Sequence, residues 1–186
     1  MAMDIFAWRQ GVIGSRDRLA LPIMTHPGIE KLGMTVRQAV SSGESHFEAI
    51  RTMASMLPMS ATTMIMDLSV EAEAFGSHVV FFDHELPTIT NRLVTDGELI
   101  GRLTAPAPGY KRTGAYIEAT RLAAGAITDR PVLSGCIGPF SLAARLYGVS
   151  DILMDVLVEP EPIHRLMAKC VGFLTAYLKA FHQAGA

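Results

Sequence analysis

The stretch Thr62–Gly76, TTMIMDLSVEAEAFG, decides the fold. Five residues of strand-like character, Thr62 to Met66, run into Asp67; Leu68–Gly76 then carries Glu71 and Glu73 in an otherwise apolar segment closed by glycine. An apolar run that ends on an acid and then turns helical predicts a buried parallel strand delivering a carboxylate to its C-terminal end. In α/β folds that edge is where ligands bind. Asp67 has two readings, a cap for the turn that follows the strand or a site residue, and the surrounding chain has to separate them.

Downstream, His78–Phe82 is a second apolar β-rich run, ending in Asp83-His84-Glu85 and closed by Leu86-Pro87. Two strands around a short helix predict a βαβ unit whose strand ends share a mouth. Three consecutive polar residues cannot all face one ligand, and their spacing is not that of a zinc site. Residues 87–113 read as a loop-rich insert, with a helix over Asp96–Leu103, of the kind that covers a site. Gly114–Ile127 predicts an amphipathic helix with Tyr116, Ala119, Leu122, Ala123 and Ala126 inward.

Pro131–Gly148, PVLSGCIGPFSLAARLYG, is the second informative stretch. Val132-Leu133 predict a strand and Ser134–Gly138 a glycine loop. Pro139 takes the first helical position, where its missing N–H is harmless, and Gly148 stops the helix. Such a loop exposes N–H groups at the strand ends, yet SGCIGP is neither GxGxxG nor a Walker motif, so its phosphate signal is weak. Cys136 has no basic neighbour in sequence and reads as a small core residue ahead of a nucleophile. Val149–Glu159 predicts a short helix. After Pro160, residues Ile163, Leu166, Met167, Cys170, Leu174, Tyr177, Leu178 and Phe181 recur at three- and four-residue steps, the cleanest helical pattern in the chain.

Upstream, Ser45 and Glu48 have capping-box spacing before the stripe Phe47, Ile50, Ala54, Leu57, which Pro58 stops. Thr35 begins a shorter helix with Val36, Ala39 and Val40 on one face. Leu21–Met24 predicts a short strand stopping at Thr25-His26-Pro27-Gly28. His26, extended before proline, sits in the loop past that strand and is a candidate site residue. Asp4–Gln10 predicts a short amphipathic helix. The methionines Met53, Met56, Met59, Met64 and Met66 read as adaptable core filling, not as metal ligands.

With 186 residues, 49% of them hydrophobic, the chain can bury a sizeable core. Sixteen basic against 18 acidic residues, a formal charge of −2, argue against nucleic acid as a partner. Two cysteines without CxxC or metal-ligand spacing point to a reducing compartment. MAMDIFAWRQ has no apolar core of a signal peptide, and no run is long enough to span a membrane. The expectation is a soluble cytoplasmic protein.

MDLSVEAEAFG, PVLSGCIGPFSLAARLYG and the PEPIHRLM…KAFHQAGA helix together resemble the N-terminal half of the uroporphyrinogen decarboxylase superfamily, and within it are most similar to the corrinoid-dependent methyltransferases of the methylcobamide:coenzyme M type. The resemblance covers about residues 20–186. It implies α/β architecture, the N-terminal half of a (β/α)8 TIM barrel, with residues 1–20 as an extension and 21–186 as a partial barrel. It places Asp67 where the decarboxylases hold the aspartate that contacts pyrrole nitrogens. Thr25-His26-Pro27-Gly28 falls where they carry an arginine-rich loop and contains no arginine. Their site tyrosine, on the helix after the glycine loop, falls at Arg145.

A polycarboxylated porphyrinogen needs fixed cations, so the missing arginines favour the methyltransferase branch. There a zinc-bound thiolate takes a methyl group from a corrinoid cobalt. The His-x-Cys and distant Cys ligands of that branch belong to the second half of the barrel, so no zinc ligand is transferred to Cys136 or Cys170. The implied function is methyl transfer between a methylcobamide and a thiol. The alternatives are a tetrapyrrole decarboxylase and a non-catalytic half barrel. Asp67 is the catalytic candidate; His26, Glu71, Ser134, Gly135, Gly138 and Arg145 are the substrate-binding candidates. The partners expected are a tetrapyrrole or corrinoid, free or on a corrinoid protein, with no nucleic acid or membrane. The chain reads as a fragment, a truncated gene product or one half of a split barrel. A half barrel leaves open sheet edges, which predicts pairing with its own copy or a complementary half.

Overall fold

The computed structural model describes residues 3–23 and 26–186. In chain order the elements are α1 (Ile5–Gly14), α2 (His26–Lys31), α3 (Val36–Ser41), α4 (Gly43–Met56), β1 (Thr62–Thr63), α5 (Val70–Phe75), β2 (Val79–Val80), β3 (Thr88–Ile89), α6 (Gly97–Arg102), α7 (Arg112–Ala126), β4 (Val132–Leu133), α8 (Pro139–Tyr147), α9 (Val149–Val158) and α10 (Pro160–Gln183).

β1 and β4 pair in parallel, Thr62 opposite Val132 and Thr63 opposite Leu133. The ladder runs on through the bond from Met64 N–H to the Leu133 carbonyl, 3.3 Å. The two informative stretches of sequence are therefore neighbours, and their C-terminal ends, Asp67 and the 134–138 loop, emerge side by side. α5 begins at Val70, two residues later than the sequence pattern places it, because Leu68 and Ser69 form the turn that Asp67 caps. Gly76 ends α5 at φ 117°, a left-handed position that glycine adopts without penalty.

The core has a large part and two smaller ones. The large one joins α5, α7, α8 and α10 through Val70, Phe75, Tyr116, Leu142, Leu146, Leu166, Phe173, Leu174 and Tyr177. A second lies under α2, α3 and α4, and a third joins α4, β1, α7 and β4. Phe75, Phe173, Tyr177 and Phe181 form a row of aromatic contacts with centroids 4.3–5.7 Å apart. At about 25 cal/mol per Å2, burial of such rings is a large term holding α10 against α5 and α8.

Several local expectations are corrected. β2 does not join β1 in a parallel βαβ unit; it pairs antiparallel with β3, Val79 opposite Ile89. Parallel barrel strands are buried on both faces, whereas Val79 and Val80 are only half-buried, and the 81–87 turn sends the chain back. The N-cap of α4 is Ser42, whose hydroxyl accepts from Ser45 N–H; the capping box belongs to Thr35 and Gln38 at α3. The buried face of α4 is His46, Ala49, Ile50 and Met53, with Leu57 exposed. Ala126 and Leu178 are exposed, and Phe173 takes a core place on α10. Leu21–Ile23 is irregular; Met24 and Thr25 lie outside the described residues. His26 opens α2 instead of lying in a loop, since Pro27 in a first helical turn lacks only an N–H that has no intrahelical partner.

Arg112 reaches Asp67 at the strand end, while residues 87–111 are not among those that line the cavity there. They strap the outside of α8, with Leu93 and Val94 N–H both donating to the Leu146 carbonyl. Among the described residues no helix is long and apolar enough to cross a membrane.

Candidate functional site

Where the strand ends meet α5, α7 and α10 there is a cavity of about 240 Å3. Leu21, Ile23, Met66 and Leu68 line it and are themselves partly exposed, which marks an apolar mouth. Asp67, Glu71, Tyr116, Ser134, Gly135, Cys136 and Tyr177 line it together with apolar neighbours. The site thus unites four of the sequence candidates, Asp67, Glu71, Ser134 and Gly135. The other three lie elsewhere and do not line the cavity: His26 in α2, Gly138 as the N-cap of α8, and Arg145 in the last turn of α8.

The Asp67 carboxylate is fully enclosed and fully used. Its Oδ1 accepts from Ser69 N–H (2.8 Å) and Ser69 Oγ–H (2.6 Å), a side-chain turn that starts α5. Its Oδ2 accepts from Arg112 Nη1. Arg112 also donates to Glu73 at 2.5 Å and to Ser69 Oγ at 2.8 Å, and its guanidinium lies 4.9 Å from the Phe81 ring centroid. Burial alone would pull the Arg112 pKa down, but Asp67 and Glu73 outweigh it and the net shift is upward. Lys111, immediately before it, is the one non-glycine with positive φ among the described residues (52°), a turn that sends Arg112 inward at the start of α7.

Glu71 behaves differently. It is buried, its Oε1 accepts from Ile137 N–H at 3.1 Å, and this bond ties the glycine loop to α5. Its Oε2 has no hydrogen-bond partner, and burial pushes its pKa up. The Tyr116 and Tyr177 hydroxyls are likewise buried without partners, and burial raises both phenols well above the usual range. The rings are fixed: Tyr116 meets His46 edge-on at 4.5 Å, and Tyr177 packs between Phe173 and Phe181.

His46 Nε2 accepts the Ile65 N–H at 2.9 Å, and burial lowers its pKa to about 3. It is a neutral brace for the strand end. Thr120 Oγ1 donates to the Tyr116 carbonyl, so the Ser134 hydroxyl donates to Thr120 Oγ1 (2.8 Å) and is held in place.

The residue pattern overlooks Arg112, His46 and the two phenolic hydroxyls. The available signal for His46 is its helical spacing with Ala49, Ile50 and Met53; Tyr116 and Tyr177 sit on faces recognised for their rings.

No three His, Cys, Asp or Glu side chains among the described residues are grouped to hold a metal. Burial pushes the Cys136 thiol up to about 11 and the Cys170 thiol up to about 12. These donors do not fit a zinc centre, which needs clustered thiolates or imidazoles.

Parallel β1 and β4, flanked by helices and with a cavity at their C-terminal ends, define an α/β chain of the TIM-barrel type, one half of a (β/α)8 barrel. A methyltransferase from Methanosarcina mazei shares this fold with a TM-score of 0.82 at 16% identity, over 92% of this chain and 52% of that one. The family model described as uroporphyrinogen decarboxylase (URO-D) matches residues 18–186, and the chain belongs to that family. It is 27% identical over 164 residues to the methylcobamide:CoM methyltransferase MtbA of Methanosarcina acetivorans, covering 82% of this chain and 48% of that protein. To the protein of the same name from Methanosarcina mazei it is 27% identical over 183 residues, covering 91% and 52%. The chain spans about half the length of these relatives.

Proposed function

We propose that this chain forms the part of a corrinoid-dependent methyltransferase that receives the methylcobamide, whose methyl group passes to a thiol held elsewhere in the complete enzyme. The observation that carries the reading is the absence of cationic side chains from the cavity. Among the described residues no lysine or arginine lines it, and Arg112, the buried cation beside it, is already held by Asp67, Glu73 and Ser69.

A porphyrinogen bearing several carboxylates would lose their hydration here without a compensating charge, at several kcal/mol. A corrinoid whose periphery is made of neutral amides meets no such penalty. The names of the methyltransferase relatives point the same way. In this reading Asp67 and Arg112 fix the local field at the strand end, while Glu71, Ser134 and Gly135 form the polar wall that meets the substrate. The zinc chemistry that would activate the thiol has no donors among these residues.

The test is titration of the purified chain with methylcobalamin and, separately, with uroporphyrin, followed by visible absorption. A saturable change with methylcobalamin and none with uroporphyrin is the expected result. The opposite selectivity would assign a tetrapyrrole decarboxylase, and a folded chain that ignores both would be a non-catalytic half barrel.

A further inference from the structure

Glu71, Tyr116 and Tyr177 line one cavity, and Glu71 Oε2, Tyr116 Oη and Tyr177 Oη are buried without hydrogen-bond partners. The side chains are at most 4% exposed. Buried polar groups in native proteins are nearly always hydrogen-bonded, and each orphan costs about 1–3 kcal/mol. Three on residues that line a single cavity are a set of complementary demands. The phenols each offer one proton and accept one; the carboxyl offers an acceptor when ionised and a donor when protonated.

The occupant must satisfy this set without bringing a charge. An anion would face Glu71 with no cation in the cavity, and the 240 Å3 space exceeds the volume of one water, about 30 Å3, several-fold. It is also below the roughly 300–1,000 Å3 of a site that encloses a drug-sized ligand, so it takes a side arm and not a macrocycle. A primary carboxamide has the right composition. Its NH2 donates to Glu71 Oε2 and its carbonyl accepts from the phenols; if Glu71 is protonated, the carbonyl takes that proton as well.

We infer that Glu71, Tyr116 and Tyr177 form a carboxamide-binding subsite that takes one amide arm of the corrinoid periphery, with the ring left outside at the apolar mouth formed by Leu21, Ile23, Met66 and Leu68. This rests on the corrinoid reading above and adds a specificity determinant to it. Glu71 also holds the Ile137 N–H, so occupancy of the subsite bears directly on the glycine loop.

The experiment compares methylcobinamide with methylcobalt heptamethyl cobyrinate, both without the nucleotide tail; in the second, methyl esters replace the peripheral amides and keep the carbonyl acceptor while losing the N–H donors. The full chain is expected to bind the amide corrinoid at least about tenfold more tightly, the equivalent of one lost hydrogen bond to a buried group. In Glu71→Gln, which removes the acceptor for the amide N–H, the preference falls towards unity, whereas Tyr116→Phe and Tyr177→Phe, which keep the rings and the fold by circular dichroism, weaken the binding of both corrinoids alike. Equal affinity for amide and ester corrinoids in the unmodified chain overturns the subsite and leaves the corrinoid reading standing. If neither corrinoid binds, that reading fails, and nuclear magnetic resonance with propionamide against propionate decides the subsite alone. Shifts by propionamide only, lost in the Tyr116→Phe/Tyr177→Phe double variant, support it; no shift means a cavity filled by water only and overturns it.

Discussion

Two acidic clusters stand within one stretch of chain, and they have opposite character. Around Arg112, both Asp67 oxygens, the Ser69 hydroxyl and one Glu73 oxygen are engaged. Around Glu71, a carboxylate oxygen and two phenols are engaged by nothing. The first arrangement is what a fold needs to carry charge inside itself; the second leaves hydrogen-bonding capacity unspent on residues that line a cavity. Asp67 announces itself most clearly in the sequence, yet it is the more occupied of the two acids. Proximity to a strand end marks where chemistry can occur, and unspent hydrogen-bonding capacity marks which group is free to meet a ligand.

The contrast breaks most severely at Arg112. Arg112→Met leaves Asp67 and Glu73 facing each other across a buried space and should lower unfolding free energy by about 3–5 kcal/mol, read by urea denaturation at pH 7. A loss below about 1 kcal/mol would mean the cluster is hydrated and not a buried network. Asp67→Asn retains an acceptor for Ser69 but removes the charge opposite Arg112, and should cost about 1.5–3 kcal/mol, the range for a hydrogen bond to a charged group. If Asp67 also meets the substrate, methylcobalamin binding weakens in the same variant while the chain stays folded. A drop in thermal stability with unchanged binding would make Asp67 a structural cap alone.

Legibility follows the same division. The strand end at Asp67, the glycine loop and the α8 start at Pro139 are local: a few adjacent residues determine each, and the pattern reads them. The pairing of Asp67 with Arg112 spans 45 positions, and nothing in RTGAYIEATRL marks its first arginine as inward until Lys111 is seen to turn the chain. Periodicity places Tyr116 and Tyr177 on buried faces, but it is blind to whether a hydroxyl finds a partner there. The β2–β3 hairpin is misread because a short apolar run has no signature of parallel or antiparallel pairing; Asp83-His84-Glu85-Leu86-Pro87 between two β-rich segments is the turn signal that resolves it.

The second cluster sharpens the contrast through pH. The Glu71 pKa is raised by burial, so between its unfolded value, about 4.3, and its higher folded value the native state binds more protons than the unfolded chain. This contribution to stability is complete below about 4.3 and declines as pH rises through the folded value, at no more than about 1.4 kcal/mol per pH unit. Glu71→Gln removes that slope. Urea midpoints at pH 5 and pH 8 should therefore lie closer together in the variant than in the parent; an unchanged separation would place the slope in other groups.

The smallest effect is the most discriminating. Tyr177→Phe deletes a hydroxyl that bonds to nothing while keeping the packing against Phe173 and Phe181. A hydroxyl with a partner would take about 0.5–1.5 kcal/mol with it. Here the deletion relieves a buried orphan, so the ligand-free chain should be unchanged or more stable by up to about 1 kcal/mol. The same substitution should weaken amide-corrinoid binding, so stability and affinity move in opposite directions. At Arg112 they fall together, because there the polar contacts belong to the fold. A Tyr177→Phe chain that loses stability and binding in parallel would show that its hydroxyl is bonded within the protein, and the distinction between the two clusters would collapse.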